Sequence, residues 1–315
     1  LKKLPVPVLA LNPWTESKKP VSGFDKKLNQ VNFLVSQKLD TLLAVPDGPE
    51  SWLFDAMRYT TLSGGKGFRP LLCHAAASLF NVPETRSVQA AAAIEVMHCY
   101  SLIHDDLPSM DDDKLRRGKA TLHLAYDEAT AILAGDALQS LAFELLSDEE
   151  THENPRIRID LVAGLARAAG MHGMVGGQTI DMLSPSLKLD AGGLTRLQKM
   201  KTGALIAFAV DAGALLGEAT RPQRHALAGY AHDVGLAFQI ADDVLDVQGA
   251  SDVLGKTAGK DAAQEKVTFA SLLGVSRARD QASLLVEQAL GHLDIFGQEA
   301  DTLRQAAEFV IGRDS

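Results

Sequence analysis

The stretch VQAAAAIEVMHCYSLIHDDL, residues 88–107, decides how this chain is read. It is long enough for five turns, and residues 90–94 are apolar all round. A helix with no polar face sits inside a large bundle, not on its surface. It runs directly into two aspartates, so it delivers carboxylates from the end of a buried rod. A second stretch, QRHALAGYAHDVGLAFQIADDVLDV at residues 223–247, repeats the arrangement.

Working outward, the pattern stays helical. Apolar residues recur at three and four through residues 122–146, 157–175 and 194–216. No alternating strand pattern bounded by turns stands between them. Breaks fall near residues 45–49, 81–85, 147–155, 184–193, 217–222 and 249–265, evenly enough that none marks a domain boundary. There is no fixed-period repeat, which disfavours a solenoid. The expectation is an all-α fold, a large single-domain bundle of ten or more helices spanning residues 25–315. Residues 1–24, with Pro5, Pro7, Pro13 and Pro20, read as a poorly structured arm.

Composition excludes several classes. The net charge is -9 over 315 residues with no basic run, so a phosphate-tracking nucleic-acid binder is disfavoured. Cys73 and Cys99 lie far apart without a CxxC, which removes zinc and redox motifs and points to a reducing, cytoplasmic setting. No run of ~18 apolar residues predicts a membrane span.

The chemistry concentrates in two acidic runs. In the second, Asp242 and Asp246 are i and i+4 on one helical face, and Gln239, Asp243 and Asp246 share the neighbouring stripe. Like charges at that spacing repel and call for a cation. All-carboxylate donors suit Mg²⁺, which is commonly held by one or two carboxylates plus substrate phosphates. In the first run Asp105 and Asp111 are six apart, about 120° around a regular helix. Pro108 breaks the ladder between them, so a local bulge is needed to bring Asp111 back. Upstream, His98, Ser101 and Asp105 form one stripe. Cations for a polyanionic ligand are available at Lys66 and Arg69 in residues 64–70, at Arg116 and Arg117, at Lys201, and at Lys256 and Lys266. Lys66 is not in a P-loop context.

Taken together these residues resemble the trans-type polyprenyl diphosphate synthases. Residues 64–70 (GGKGFRP) resemble the family's GGKRxRP, and residues 105–117 resemble DDxxxxDxxxxRR. Lys201-Thr202-Gly203 resembles KTG, residues 239–246 resemble QxxDDxxD, and Gly176-Gly177-Gln178 with Asp181 fits GGQxxD. The match runs over about residues 30–312, and the spacing of the first Asp motif is that of the bacterial farnesyl diphosphate synthase branch. The resemblance implies a helical bundle around a central cavity, a homodimer, and condensation of isopentenyl diphosphate with an allylic diphosphate through a carbocation. It implies Mg²⁺, three per active site with substrate bound, held by Asp105, Asp106, Asp111, Asp242, Asp243 and Asp246. Arg116, Lys201 and Lys256 would complete the clamp on the allylic diphosphate, with Lys266 nearby. Lys66, Arg69, His98 and Arg117 would hold isopentenyl diphosphate. Thr202 and Gln239 would turn oxygens toward the cation, and pyrophosphate would take the proton. Gly67 stands where the family often has Arg, which implies a somewhat raised KM for isopentenyl diphosphate. An aromatic at Tyr100, beside Ser101 and about one turn before Asp105, implies a floor and a C15 product, with C20 the runner-up. The loops at 184–193 and 249–265 would serve as lids.

Other readings use the same residues. The dipeptides His104-Asp105 and His232-Asp233, with His74 and His98, suggest an HD-type metal phosphohydrolase, which leaves the KTG and the second Asp run unexplained. Glu95 to His98 and Glu149 to His152 form Glu-x-x-His, but the second lies in a polar, loop-like run, so a di-iron bundle is weaker. A terpene cyclase, or a non-catalytic prenyl-binding subunit, would not keep two intact Asp motifs.

Overall fold

The computed structural model describes residues 23–187, 189–247 and 267–312, and these are almost entirely helical. The chain runs through α1 (Gly23–Leu42), α2 (Ser51–Thr61), α3 (Phe68–Ser78) and α4 (Glu84–Asp105). A two-residue hairpin follows, β1 (Leu115–Arg116) pairing antiparallel with β2 (Lys119–Ala120). Next come α5 (Leu122–Ala125), α6 (Glu128–Ser147), α7 (Pro155–Ala169), α8 (Met174–Leu183) and α9 (Ala191–Gln198). A π-helical turn, Lys199–Gly203, joins α9 to α10 (Ala204–Leu216). The chain then forms α11 (Arg221–Val247), α12 (Phe269–Leu273), α13 (Val275–His292) and α14 (Asp301–Gly312).

The all-α reading holds, and its boundaries shift for physical reasons. Residues 122–146 are two helices, because Asp127 turns extended and caps α6 by accepting a hydrogen bond from the Thr130 amide. Residues 157–175 break between Gly170 and Gly173. Helix α1 starts at Gly23, inside the stretch read as the arm, and Phe24 is buried against Phe309. The rest of that arm, Lys256, Lys266 and the proposed lid at 249–265 lie outside the described residues.

Helix α4 is the axis. It packs on α1, α3, α6 and α10, and its residues 90–94 are fully buried alanines and an isoleucine. Small side chains let helices approach closely. The same device joins α10 to α3. A Cβ on Gly213 would come within 2.5 Å of the Cys73 carbonyl oxygen and 2.6 Å of the Ala77 amide. Gly213→Ala should therefore destabilise by about 2 kcal/mol despite alanine's better helix propensity. Gly291→Ala in α13, where a Cβ meets nothing within 4 Å, should stabilise slightly. Thermal melting of the two variants checks the contrast.

Helix α6 is the described helix long and apolar enough to cross a membrane, a feature the sequence pattern does not single out. It packs against α2, α4, α5 and α7 and behaves as a bundle helix. At the other end of the bundle Phe68, Phe238 and Phe309 bring α3, α11 and α14 together around the mouth of a central cavity.

Candidate active site

The cavity has a volume of about 1300 Å³ and is walled by the ends of α4, α8 and α11, the π turn, and the loop before α3. Asp105, Asp111, Asp242, Asp243 and Asp246 all line it, as do Lys66, Arg69, His98, Tyr100, Ser101, Arg116, Arg117, Lys201, Thr202 and Gln239.

The first acidic run solves its geometry with a turn. Helix α4 ends at Asp105, and the Asp111 amide donates to the Asp105 carbonyl oxygen at 2.9 Å. That bond closes residues 105–111 on themselves and returns Asp111 to the cavity. Burial pushes the Asp105 carboxyl up to about 6; Asp111 and Asp106 add to the rise, while Lys201 and Arg116 oppose it. A carboxylate in that setting gains most from a cation.

Two of the residues that the resemblance implies for the metal also bond within the protein. Asp106 is 3% exposed and does not line the cavity. It accepts from Arg116 through both Nε, at 3.0 and 3.3 Å, and Nη2, and Arg116 also reaches Asp113 at 3.0 Å. Asp243 lines the cavity, but one of its oxygens accepts from the Phe269 amide at 2.7 Å, tying α11 to α12. Arg116 is likewise committed to carboxylates. Burial alone would lower its pKa, but Asp106 and Asp113 outweigh that and raise it. Removing one partner of a buried pair leaves the other charge uncompensated. Arg116→Met should destabilise by about 3 kcal/mol, read as a Tm loss of roughly 5–10 °C, a larger effect than on substrate KM.

The hairpin splits the arginine pair. Arg117 adopts φ +53° and Gly118 φ +74°, a tight turn that sends the two side chains apart. Arg117 donates to the Gly64 carbonyl oxygen and stands 3.8 Å from Glu95. Arg69 contacts His98 at 3.4 Å, and its Nε is buried without a hydrogen-bond partner. Burial lowers the Arg69 pKa; Glu95 and Asp242 counter it. Arg69, Arg117 and Lys66 all line this part of the cavity beside the buried Glu95, and such a gathering of cationic side chains suits an anion.

The opposite wall is the π turn. Such turns are frequent at functional sites. Lys201 and Thr202 both reach the cavity from it, and Lys201 Nζ bonds Asp181 Oδ2 at 2.7 Å. Gly177 lets α8 lie against this turn, since a Cβ there would collide with the Lys201 backbone. Gln178, one turn before Asp181, is 8% exposed and lines the cavity with both amide atoms unpartnered. From the sequence alone it reads as packing. Sequence reasoning also misses Asn32, Asn29 and Asp25, a polar stripe on α1 that faces the cavity.

The competing readings separate in space. His232 is exposed, and Asp233 pairs with His292 at 3.3 Å, away from the cavity. His104 contacts the Ile132 carbonyl at 3.2 Å, and His74 contacts Ser87 at 2.9 Å. The two HD dipeptides do not share a cavity. His152 is buried beside the Asn154 amide, and Glu149 is exposed, so the second Glu-x-x-His does not face the first. Among the described residues no three His, Cys, Asp or Glu side chains form a closed metal cage. The aspartates come from two separate helix ends, and a cation there would complete its shell with substrate oxygens.

Comparisons with known proteins agree. The family model described as polyprenyl synthetase matches residues 50–308. The farnesyl diphosphate synthase of Haemophilus influenzae is 40% identical over 294 residues, 93% of this chain and 99% of that protein. The geranylgeranyl diphosphate synthase of Cyanophora paradoxa is 40% identical over 279 residues, covering 88% and 93%. An FPP/GFPP synthase of Zymomonas mobilis, solved in its apo form, superposes with a TM-score of 0.83 at 46% identity, covering 91% and 98% of the two chains.

Proposed function

The chain belongs to the polyprenyl synthetase family, and from that premise we propose that it joins isopentenyl diphosphate to dimethylallyl or geranyl diphosphate, making farnesyl diphosphate and pyrophosphate. The observation that carries this reading is the shared cavity: two aspartate-bearing helix ends, a lysine-bearing π turn, and a separate cationic corner.

The residues suit Mg²⁺, because every donor of the acidic runs is a carboxylate and burial holds the Asp105 carboxyl up at about 6, where a nearby cation would relieve it. Asp105 and Asp111 from one wall and Asp242 and Asp246 from the other would hold the ions, three with substrate bound. When bound, Mg²⁺ supplies charge that stabilises the departing pyrophosphate. The protein's own part is position. Lys201, oriented by Asp181, reaches the allylic diphosphate. Lys66, Arg69, His98 and Arg117 hold isopentenyl diphosphate in the cationic corner.

The reaction then follows. The allylic C–O bond breaks and pyrophosphate leaves with both electrons. The double bond of isopentenyl diphosphate attacks the allylic carbon, forming the new C–C bond and a second cation. That cation loses a proton to pyrophosphate. Thr202 and Gln239 turn side-chain oxygens toward the developing positive charge. Cavity walls of Met174, Leu102 and Met182 keep water from it. A second copy of the chain covers the exposed apolar Leu124, Ile132 and Leu133, giving a homodimer. Free Cys73 and Cys99 fit the cytoplasm.

The test is incubation with Mg²⁺, labelled isopentenyl diphosphate and geranyl diphosphate, with product length measured. A C15 prenyl diphosphate is expected. Phosphate release without C–C bond formation would overturn the reading.

A further inference from the structure

In the cationic corner, residues 63–67 lead into α3, and Gly67 caps that helix in the left-handed region at φ +58°, ψ +30°. The space a side chain would need there is already taken. A Cβ built on Gly67 would coincide with the Asn32 carboxamide, Oδ1 first. Asn32 comes from α1, where its neighbours on the same face are Leu28, Val31, Val35 and Leu39, all buried. Asn32 is 5% exposed, so its amide is as deep as theirs. A polar group at that depth needs partners. Its Nδ2 donates to the Lys66 carbonyl oxygen at 3.1 Å, thirty-four residues away. Asn32, Lys66, Gly67 and Arg69 all line the cavity.

We propose that Asn32 is a positioning residue for isopentenyl diphosphate: seated in the space left by Gly67 and bonded to the Lys66 backbone, it locks the segment that presents Lys66 and the start of α3 to that diphosphate. The inference rests on the function proposed above. Asn32 acts through Lys66 and does not touch the reacting carbons. It also changes what Gly67→Arg would do. That variant does not simply restore a contact, because the new side chain must displace a buried Asn and adopt a left-handed backbone.

The test compares Asn32→Ala, Asn32→Asp, Gly67→Ala and the double variant Asn32→Ala/Gly67→Ala. Asn32→Asp keeps the shape but cannot donate to a carbonyl, so it carries the test even where Asn32→Ala folds poorly. Both Asn32 variants should raise KM for isopentenyl diphosphate about fivefold or more, the scale of one buried hydrogen bond. The geranyl diphosphate KM and kcat should stay within about twofold, since a positioning residue acts on its own subsite. Gly67→Ala should raise the same KM more in the wild-type background than beside Asn32→Ala, where the space is open. An unchanged isopentenyl KM in Asn32→Asp overturns the proposal. So does a uniform loss in both substrates and kcat that tracks a lower Tm. A wild-type protein that condenses nothing overturns the proposed function itself, and this inference with it.

Discussion

Asp105→Asn should lower kcat by about a thousandfold or more, equivalent to about 4 kcal/mol of transition-state stabilisation. The substitution keeps size and shape, so the helix end and the Asp111 turn should survive; the backbone bond from the Asp111 amide does not involve the side chain. What is lost is a negative charge at the point where the metal-bound diphosphate would be held. KM for isopentenyl diphosphate should move little, because the cationic corner of Lys66, Arg69 and Arg117 is built on other elements. Steady-state kinetics with each substrate varied in turn would test this. A variant retaining more than a tenth of wild-type kcat would remove Asp105 from the centre of the reaction.

The same variant should be the more stable protein when no Mg²⁺ is present. The Asp105 carboxyl is raised from 3.8 to about 6 in the folded chain, with burial as the leading cause. Between those values the folded state keeps a proton that the unfolded state has lost. Stability then falls as pH rises through that window, and above about 6 the strain of a buried carboxylate is fully present. The uncharged amide of the Asp105→Asn variant would carry no such strain. Urea unfolding at pH ~4.5, inside that window, and at pH ~7, above it, should show the wild type losing ground against Asp105→Asn at the higher pH, with added Mg²⁺ reversing the order. Equal behaviour at both pH values would contradict the assigned shift. Stability given up for function is a common feature of active sites.

The parts of this site that depend on helical periodicity were legible in the sequence. Asp242 and Asp246 follow from i, i+4 spacing, and α4 announces its burial through four consecutive alanines. For loop closure the sequence shows the need, a bulge at Pro108 to bring Asp111 back, but not the bond that meets it. Asp111 returns to Asp105 through one backbone hydrogen bond that no spacing rule encodes. The resemblance divides the Arg116–Arg117 pair between two diphosphates, but only the fold shows how: a left-handed backbone at Arg117 sends one to Asp106 and the other to Gly64 and Glu95. The resemblance places Asp106 among the ligands, and only the fold shows that it is buried and bonded to Arg116, about 100° around the helix from Asp105. Asn32 did leave a signal, a lone amide in the register of Leu28, Val31 and Val35, and only the fold says what it touches.

Tyr100→Ala should lengthen the product. Tyr100 lies on α4 five residues before Asp105, about 7.5 Å down the axis at 1.5 Å per residue, and it lines the cavity while being 9% exposed. Its ring meets His104 edge-on at 5.0 Å, which fixes it on the cavity wall. On the proposed function, a prenyl tail growing from the Asp105 end would run into that ring. Truncation to alanine would remove the barrier and open the cavity toward the buried Val96 and Met97, one turn further along α4. In an ordinary core, such a truncation would cost about 3–5 kcal/mol through the cavity it leaves. Here an additional isoprene unit can fill the space during turnover. The major product should shift from C15 to C20 or longer, with kcat reduced less than about tenfold, since the reacting groups of the cavity are untouched. Tyr100→Phe, which keeps the ring and loses only the hydroxyl, should still stop at C15. Chain lengths measured for the three proteins by mass spectrometry separate the contributions of ring and hydroxyl. A C15 product from Tyr100→Ala would move the floor of the cavity to α6, where Ile132 also lines it.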